Sequence, residues 1–211
     1  MSVQRILHRA GNDLSLHALS RHPAVDAIEA DLWSVGGHLV AHHERPIGRS
    51  GFGVSHRGLT HLLPVSFEAL FEVIEHAELV LDLRAWAGDP APDVARLLEP
   101  LDRSRLRVTC EDWHLAERVQ AWLPDLSVAC SVRSERQLRA YLAGRDARRI
   151  GPMPVVVRHT LLHTPDEVQA LRMRAGDVGV WTVDDVARAL DLKAWGVDRI
   201  TSNRIPVLNT L

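Results

Sequence analysis

Two acidic residues, Glu29 and Asp31, lie two positions apart in the mainly apolar segment 26–33, and they are the feature of this chain that most suggests chemistry. Alternate side chains of an extended strand share one face, so the carboxylates of Glu29 and Asp31 would point the same way. Two like charges held close together in a dry interior need a cation between them or a raised pKa. Either outcome marks a candidate functional site.

Polar residues also end other apolar runs of the chain. His8 and Arg9 close the first run, and Asp82 and Arg84 share one face of a later run. The three carboxylates form an all-oxygen set suited to Mg²⁺ or Ca²⁺, whereas zinc would favour more His or Cys. Arginines beside such a metal suit phosphoryl oxygens, and two histidines can divide acid and base roles near neutral pH. The residue types therefore predict phosphodiester cleavage.

The elements that would position these residues are apolar, β-branched runs alternating with amphipathic stretches, the pattern of βα units on a parallel sheet. Eight strands are predicted at 3–8, 25–32, 78–84, 105–110, 126–132, 153–158, 178–183 and 197–202, and seven helices at 13–21, 66–76, 91–99, 114–122, 134–144, 165–174 and 184–194. This pattern predicts an α/β fold, a compact (β/α)8 TIM barrel that forms a single domain over 1–211. A final helix would be missing or reduced to 207–211. An open doubly wound sheet is less favoured, because segment 9–13 lacks the G-x-G-x-x-G pattern of dinucleotide binding.

In a TIM barrel the carboxyl-terminal ends of the strands meet at one mouth, so polar residues at these ends would face one another. Besides those already named, the residues at predicted strand ends are Glu111, Arg133, Arg158, His159, Trp181, Ser202 and Asn203. The sequence thus places cationic and anionic groups around one opening.

One connection, 34–65, is much longer than the others and is predicted to be an active-site loop. A hairpin turn is expected at the glycine pair 36–37. His42 and His43 compete for one role, and His43 is favoured because an acidic residue follows it. The arginines and histidines of 45–61 are expected to be solvated. Whether this loop closes over a substrate is left open by the sequence.

The composition narrows the class of protein. The chain of 211 residues is 46% hydrophobic and 25% charged, as in a globular protein that can bury a large core. A net charge of -2 argues against a nucleic-acid partner bound through a broad basic surface. Neither a leader nor a membrane span is indicated, and Cys110 and Cys130 form no CxxC pair. We therefore expect a soluble, cytoplasmic protein with a small-molecule substrate and an oligomeric state that the sequence does not indicate.

Taken in order along the chain, the motifs resemble those of one known family, the glycerophosphodiester phosphodiesterases. That family has a strand ending in His-Arg, then Glu-x-Asp, His-Asp, Glu-x-Lys, Trp-Thr-Val and Gly-Val-Asp segments. The segments that match here are His8-Arg9, Glu29-Ala-Asp31, His43-Glu44, Asp82-Leu-Arg84, Trp181-Thr-Val183 and Gly196-Val-Asp198. The resemblance spans nearly the whole chain, and the ordered set is far more specific than any single motif.

The resemblance implies a TIM-barrel, metal-dependent hydrolase of lipid metabolism that releases glycerol 3-phosphate and an alcohol from glycerophosphodiesters. The roles that it implies are acid/base catalysis for His8 and His43, metal binding for Glu29, Asp31 and Asp82, and phosphate contacts for Arg9 and Arg84. Trp181 is expected to form a pocket wall that binds substrate and not to be catalytic. The family's attack by the substrate's own glycerol hydroxyl, through a cyclic phosphate, would carry over only to a substrate that has this hydroxyl.

Three departures from the family pattern keep other functions open. The family has a Pro-Glu-Asn-Thr stretch after its His-Arg motif, and segment 11–13 stands there instead. In the family's Glu-x-Lys strand, the glutamate is replaced by the shorter Asp82 and the lysine by Arg84. The chain also resembles the sphingomyelinase D type of phospholipase, so a sphingomyelinase D-like or lysophospholipase D-like activity is the alternative. A further alternative is a degenerate barrel that binds a phosphorylated metabolite without catalysis, for which the changes at Asp82 and Arg84 leave room. Separately, Asp82 and Arg84 could form a purely structural ion pair. A phosphotriesterase-like hydrolase is less favoured, because no His-x-His follows the first strand.

Overall fold

The fold is described from a computed structural model of the chain. The described residues are 2–44, 46–47, 51–52, 64–85, 88–144 and 153–211. Most of the predicted solvated stretch 45–61 lies outside them. None of the described helices is long and apolar enough to cross a membrane.

Eight parallel strands close into a barrel, which confirms the predicted (β/α)8 fold. The strands are β1 (Gln4–Leu7), β2 (Ala27–Val35), β3 (His38–Ala41), β4 (Pro46–Ile47), β5 (Gly51–Phe52), β6 (Val65–Ser66), β7 (Glu78–Arg84), β8 (Leu106–Cys110), β9 (Ser127–Val132), β10 (Val155–Arg158), β11 (Val178–Trp181) and β12 (Arg199–Ser202). The barrel order is β1, β2, β7, β8, β9, β10, β11 and β12, and pairing of β12 with β1 closes the ring. The carboxyl-terminal ends of all eight strands therefore share one mouth.

Helices follow the strands where the amphipathic pattern predicts them. They are α1 (Phe67–Val73), α2 (Ala91–Leu98), α3 (Trp113–Trp122), α4 (Glu135–Leu142), α5 (Pro165–Ala175), α6 (Val186–Trp195) and α7 (Ile205–Leu208). Side chains cap their starts: Ser66 accepts from the backbone of Ala69 at 3.2 Å, and Thr164 forms a reciprocal capping box with Glu167. The predicted helix 13–21 is instead a 3-10 helix over Leu14–Arg21, because apolar spacing alone does not separate the two hydrogen-bonding patterns.

Strand β2 runs three residues beyond its predicted end and changes partner on the way. Its first residues pair with β1, whereas Leu32 to Val35 pair antiparallel with β3. The turn between them uses the predicted glycine pair, Gly36 and Gly37, at φ 62° and 83°, the left-handed region that a two-residue hairpin requires. The first part of 34–65 is therefore a sheet extension and not a loop. It returns the chain to the barrel mouth, where the backbone N–H of His42 donates to the Asp31 carbonyl at 2.9 Å.

The hydrophobic core lies between the barrel wall and the helices, and the inside of the barrel is largely polar. A small apolar cluster of Ile6, Ala27 and Val80 crosses the interior. Below it, at the amino-terminal ends of the strands, Arg107 Nε lies 3.0 Å from Glu78 Oε1, and Arg199 pairs with Asp177. These ion pairs fill the end of the barrel opposite the mouth.

Candidate active site

Three carboxylates converge at the mouth, on neighbouring strands. Glu29 and Asp31 lie on β2, and the parallel register places Asp31 directly opposite Asp82 of β7. One oxygen from each of the three lies within 4.8 Å of the others. Oxygens bonded to one Mg²⁺ or Ca²⁺ at about 2.0 to 2.6 Å can be up to about 5 Å apart, so this spacing suits a single cation. Glu29 and Asp31 are 6% and 0% exposed, which means that water contributes little to their charge stabilisation.

The environment of the cluster raises the pKa of two of its acids. Burial, and then the charges of Asp31 and Asp82, raise the pKa of Glu29 well above its usual range. Burial also raises the pKa of Asp82 to about 6, although Arg84 opposes this rise. Acidic groups whose negative charge is this poorly compensated would be stabilised by a divalent cation.

Arg84 neutralises part of this charge. Its terminal nitrogen contacts carboxylate oxygens of both Asp31 and Asp82, the second at 2.9 Å. The ion pair of Asp82 with Arg84, one of the two readings that the sequence left open, is thus present, and Asp31 shares the same guanidinium. The side chain of Arg84 is 38% exposed, so it also reaches the cavity.

Arg9 serves the cluster mainly through its backbone. Its N–H donates to Glu29 Oε2 at 2.7 Å, whereas its side-chain Nε lies 3.7 Å from Asp31 Oδ2. Arg9 has φ 57° and is the one non-glycine residue with positive φ in the described part of the chain. This conformation costs about 1 kcal/mol, and it turns the N–H towards the buried carboxylate.

His8 lies beside the cluster at the end of β1. Its Nε2 is 3.8 Å from Glu29 Oε2, and its Nδ1 is 2.8 Å from Oδ1 of Asn203. Burial lowers the pKa of His8, although the hydrogen bond to Asn203 opposes the change. The imidazole is therefore mainly neutral at neutral pH and can accept a proton.

The two consecutive histidines take different positions. His43 lines the mouth cavity, and its half-exposed ring has Nδ1 3.2 Å from Glu44 Oε1. His42 is 3% exposed and packs behind the cavity wall, where its carbonyl accepts a hydrogen bond from the indole of Trp33 at 2.8 Å. The preference for His43 over His42 as a site residue is consistent with this arrangement.

One cavity of about 270 Å³ runs from the mouth into the barrel, and most of these groups line it: His8, Arg9, Glu29, His43, Asp82 and Arg84. Trp181 forms part of its wall, and the buried Nε1 of this residue has no acceptor among the described residues. An indole N–H in this position is available to a ligand oxygen. At the rim, Arg133 Nε lies 2.6 Å from Glu111 Oε1. Arg158 and His159 do not contribute to this wall, among the residues that the structure describes.

Two residues that support the cluster were not assigned a role from the sequence. Asn12 donates its amide to Asp31 Oδ2 at 2.7 Å and accepts the backbone N–H of Asp31 at 2.9 Å. The hydroxyl of Thr109 donates to Asp82 Oδ1 at 3.2 Å. The signal for Asn12 was its place in segment 11–13, just after His8 and Arg9, where the family motif departs.

Gly11 allows Asn12 to reach the cluster. A Cβ at position 11 would lie 2.6 Å from the Cβ of Ala30, so a larger residue would push the turn away from β2. The close approach of this turn to β2 explains why two small residues face each other here.

The fold and the mouth define a TIM barrel with an acidic cluster, flanked by arginines and histidines. Neither a protein-family model nor a curated protein matches the sequence. Solved structures do match: a phosphodiesterase from Oleispira antarctica in complex with its product sn-glycerol-3-phosphate is 18% identical with a TM-score of 0.75, covering 98% of this chain and 96% of that one.

Two further neighbours carry the name glycerophosphodiester phosphodiesterase. The protein from Agrobacterium tumefaciens is 16% identical with a TM-score of 0.74 and full coverage of both chains (100% and 100%). The one from Thermotoga maritima is 15% identical with a TM-score of 0.72, covering 99% of this chain and 98% of that one. This chain therefore has the TIM-barrel fold of these phosphoric diester hydrolases, as the resemblance of its motifs predicted.

Proposed function

We propose that this protein is a metal-dependent phosphodiesterase that hydrolyses glycerophosphodiesters to glycerol 3-phosphate and an alcohol. The observation that carries the proposal is the convergence of Glu29, Asp31 and Asp82 at the mouth of a barrel with this fold. His8 and His43 open onto the same cavity, so a phosphodiester bound there would lie beside both histidines.

The residues of the cluster fit a hard divalent cation, either Mg²⁺ or Ca²⁺. Their donors are all carboxylate oxygens, and the pKa of Asp82 is raised by burial and then by the charge of Asp31, although Arg84 opposes the rise. A bound cation would polarise a phosphoryl oxygen and offset the charge that develops on it. Asn12 and Thr109 would hold the carboxylates in place, because each donates to an oxygen of the cluster.

His8 is proposed to act as the base and His43 as the acid. The neutral, partly buried imidazole of His8 would take the proton of the attacking hydroxyl, which belongs either to water or to the glycerol part of the substrate. His43, with its more exposed ring, would donate a proton to the leaving alcohol oxygen. Oε1 of Glu44, 3.2 Å from Nδ1 of His43, would help to hold this ring in place.

Arg9, Arg84 and Trp181 are proposed to bind the phosphodiester. Arg84 and Arg9 would supply fixed positive charge, and the free indole N–H of Trp181 would donate to a substrate oxygen. Segment 34–65 is proposed to contribute to the site within a single domain, since it carries His43 to the cavity. A cytoplasmic location stays a prediction; the two buried cysteines, Cys110 and Cys130, are not joined in a disulfide, which suits it.

One observation supports a second candidate function. Asp82 is shorter than the glutamate of the glycerophosphodiesterase motif, and an Asp-x-basic strand is also a feature of the sphingomyelinase D type. Sphingomyelin or a lysophospholipid is therefore the alternative substrate of the same centre. A purely binding barrel is less favoured, because the three carboxylates converge and two of them, Glu29 and Asp82, line one cavity together with both histidines.

The experiment that tests the function is release of glycerol 3-phosphate from glycerophosphocholine and glycerophosphoethanolamine, with Mg²⁺, Ca²⁺ or a chelator. We expect metal-dependent release that His8→Ala and Glu29→Ala abolish and that His114→Ala, at an exposed position on α3, leaves unchanged. No release of glycerol 3-phosphate from either diester, with metal still bound, would favour the sphingomyelin or lysophospholipid alternative. No release from either diester, together with no metal binding, would favour the non-catalytic barrel.

A further inference from the structure

Asp184 gathers hydrogen bonds from the segment that follows β12. Its Oδ1 accepts the Ser202 hydroxyl at 2.9 Å and the backbone N–H of Asn203 at 2.8 Å, and its Oδ2 faces the side-chain nitrogen of Asn203 at 2.6 Å. Burial alone would raise the pKa of Asp184, but these hydrogen bonds lower it. Asp184 is therefore an ionised group that can accept hydrogen bonds and cannot donate one.

The ionised carboxylate fixes the orientation of the Asn203 amide. Only the amide nitrogen can donate to Asp184, so the amide oxygen must point the other way. This oxygen lies 2.8 Å from Nδ1 of His8. Because an amide oxygen cannot donate, the hydrogen bond exists only if Nδ1 of His8 carries the proton.

The same hydrogen bonds determine whether the ring nitrogen of His8 that faces the acidic cluster, Nε2, carries a proton. When Nδ1 of a neutral imidazole is protonated, Nε2 has a free lone pair. Nε2 of His8 lies on the side of the cluster, 3.8 Å from Glu29 Oε2. The backbone N–H of His8 also donates to the Ser202 carbonyl at 2.9 Å, which keeps the ring next to Asn203.

We propose that Asp184 and Asn203 are positioning residues that hold His8 in the tautomer with the proton on Nδ1, so that Nε2 is a proton acceptor. Its consequence for turnover rests on the proposed function, whereas the tautomer itself is a property of the resting protein. Asp184 does not touch His8 and acts on it through Asn203.

The proposal predicts an effect of Asp184→Asn that a purely structural role would not produce. The backbone N–H of Asn203 still needs an acceptor, so the new amide would place its oxygen there and its nitrogen towards the Asn203 side chain. The Asn203 amide would then turn over and present its nitrogen to His8. A donor facing Nδ1 would favour the other tautomer, which carries its proton on Nε2 and has lost the base.

The tautomer is measured by two-bond ¹H–¹⁵N correlation spectra of ¹⁵N-histidine-labelled protein, above neutral pH and without metal. His8→Gln identifies the His8 signals by their loss. We expect the ¹⁵N chemical shift typical of an unprotonated ring nitrogen at Nε2 of His8 in the wild type and at Nδ1 in Asp184→Asn. The control variant Asp185→Asn, at the exposed neighbouring position, should give the wild-type spectrum. The double variant Asp184→Asn/Asn203→Asp should restore the wild-type pattern, because a carboxylate at 203 accepts from both neighbours.

On the diester that the function assay identifies, kcat of Asp184→Asn should fall about 10²-fold or more with little change in KM, and the double variant should recover most of this loss. A His8 tautomer that is the same in the wild type and in Asp184→Asn would overturn the proposal, and so would a wild-type lone pair on Nδ1. The spectra give this answer even if no diester is hydrolysed, so failure of the proposed function and failure of this inference are distinguishable. If Asp184→Asn does not fold, the wild type and the double variant still decide the tautomer.

Discussion

The acidic cluster should make the metal-free protein less stable at neutral pH, and Asp82→Asn should reveal by how much. Burial raises the pKa of Asp82 from 3.8 to about 6, so the folded protein binds this proton more tightly than the unfolded chain does. The stability that this group lends is therefore greatest at low pH and is lost as the pH rises from 3.8 through about 6.

The size of the effect follows from the pKa difference. Each pKa unit corresponds to about 1.4 kcal/mol, so an ionised Asp82 makes the folded state up to about 3 kcal/mol less stable at pH 7.5. The asparagine variant has nearly the same shape without the charge, and Arg84 keeps its contact with Asp31. Removing the buried charge stabilises the folded state, whereas weakening the charge-assisted bond from Arg84 to position 82 opposes part of this gain. We therefore expect a net gain in stability of about 1 to 3 kcal/mol.

The measurement is urea unfolding with a chelator at pH 7.5 and pH 5, supported by thermal melts. At about 2 to 4 °C per kcal/mol for a chain of this size, Asp82→Asn should raise Tm by several degrees at pH 7.5 and by about half as much at pH 5, which lies between the two pKa values. The matched control is Asp89→Asn, because hydrogen bonds from Ala91 and Arg118 lower the pKa of exposed Asp89 despite its slight burial, so this variant should not gain stability. An Asp82→Asn protein no more stable than the wild type at pH 7.5 would refute the view that the cluster lacks compensating charge.

The other predictions concern groups around the same cluster. Arg84→Gln should bind Ca²⁺ several-fold more tightly by calorimetry, because Arg84 competes for Asp31 and Asp82; unchanged or weaker binding would show that it does not compete. Asn12→Ala should lose about 1 to 3 kcal/mol of stability and bind metal about 10 to 100-fold more weakly, and wild-type affinity would rule out a supporting role for its two bonds to Asp31. Gly11→Val should cost about 1 to 3 kcal/mol in urea unfolding, and Ala30→Gly in the same chain should recover part of the loss if the 2.6 Å contact is the cause. Trp181→Phe should raise KM for the identified diester several-fold with a smaller effect on kcat, whereas an unaffected KM would mean that the indole N–H does not bind substrate.

Much of the fold could be predicted because its signals are local. The predicted strand 78–84 has the same bounds in the structure, since its alternating pattern and flanking polar residues are contained in the strand itself. The longer β2 and its change of partner depend on pairing with β3, which apolar patterning of one segment does not reveal. The hairpin turn was predictable, because two adjacent glycines are a strong signal for such a turn.

The centre of the site was predictable for a related reason. Parallel pairing in register brings Asp31 beside Asp82, so two residues far apart in sequence meet once the strand order is known. The supporting residues were not predictable, because their contacts depend on turns outside the strands. Asn12 reaches Asp31 only because Arg9 adopts a left-handed conformation and Gly11 leaves room against Ala30. The proposed positioning role of Asp184 depends on its hydrogen bond to the amide of Asn203, which the sequence does not show.

The exchange of a Glu-x-Lys strand for Asp82-Leu-Arg84 changes how charge is shared at the mouth. A guanidinium offers several donors in one plane, whereas an ammonium is a compact point charge. Arg84 uses one of its nitrogens for both Asp31 and Asp82, which are two of the three oxygen donors proposed for the cation. A cation that binds these oxygens must loosen the contacts of Arg84, and a phosphate that attracts Arg84 must favour the cation. Because such coupling is reciprocal, the diester should bind more tightly in the presence of metal in the wild type, and this gain should shrink in Arg84→Gln.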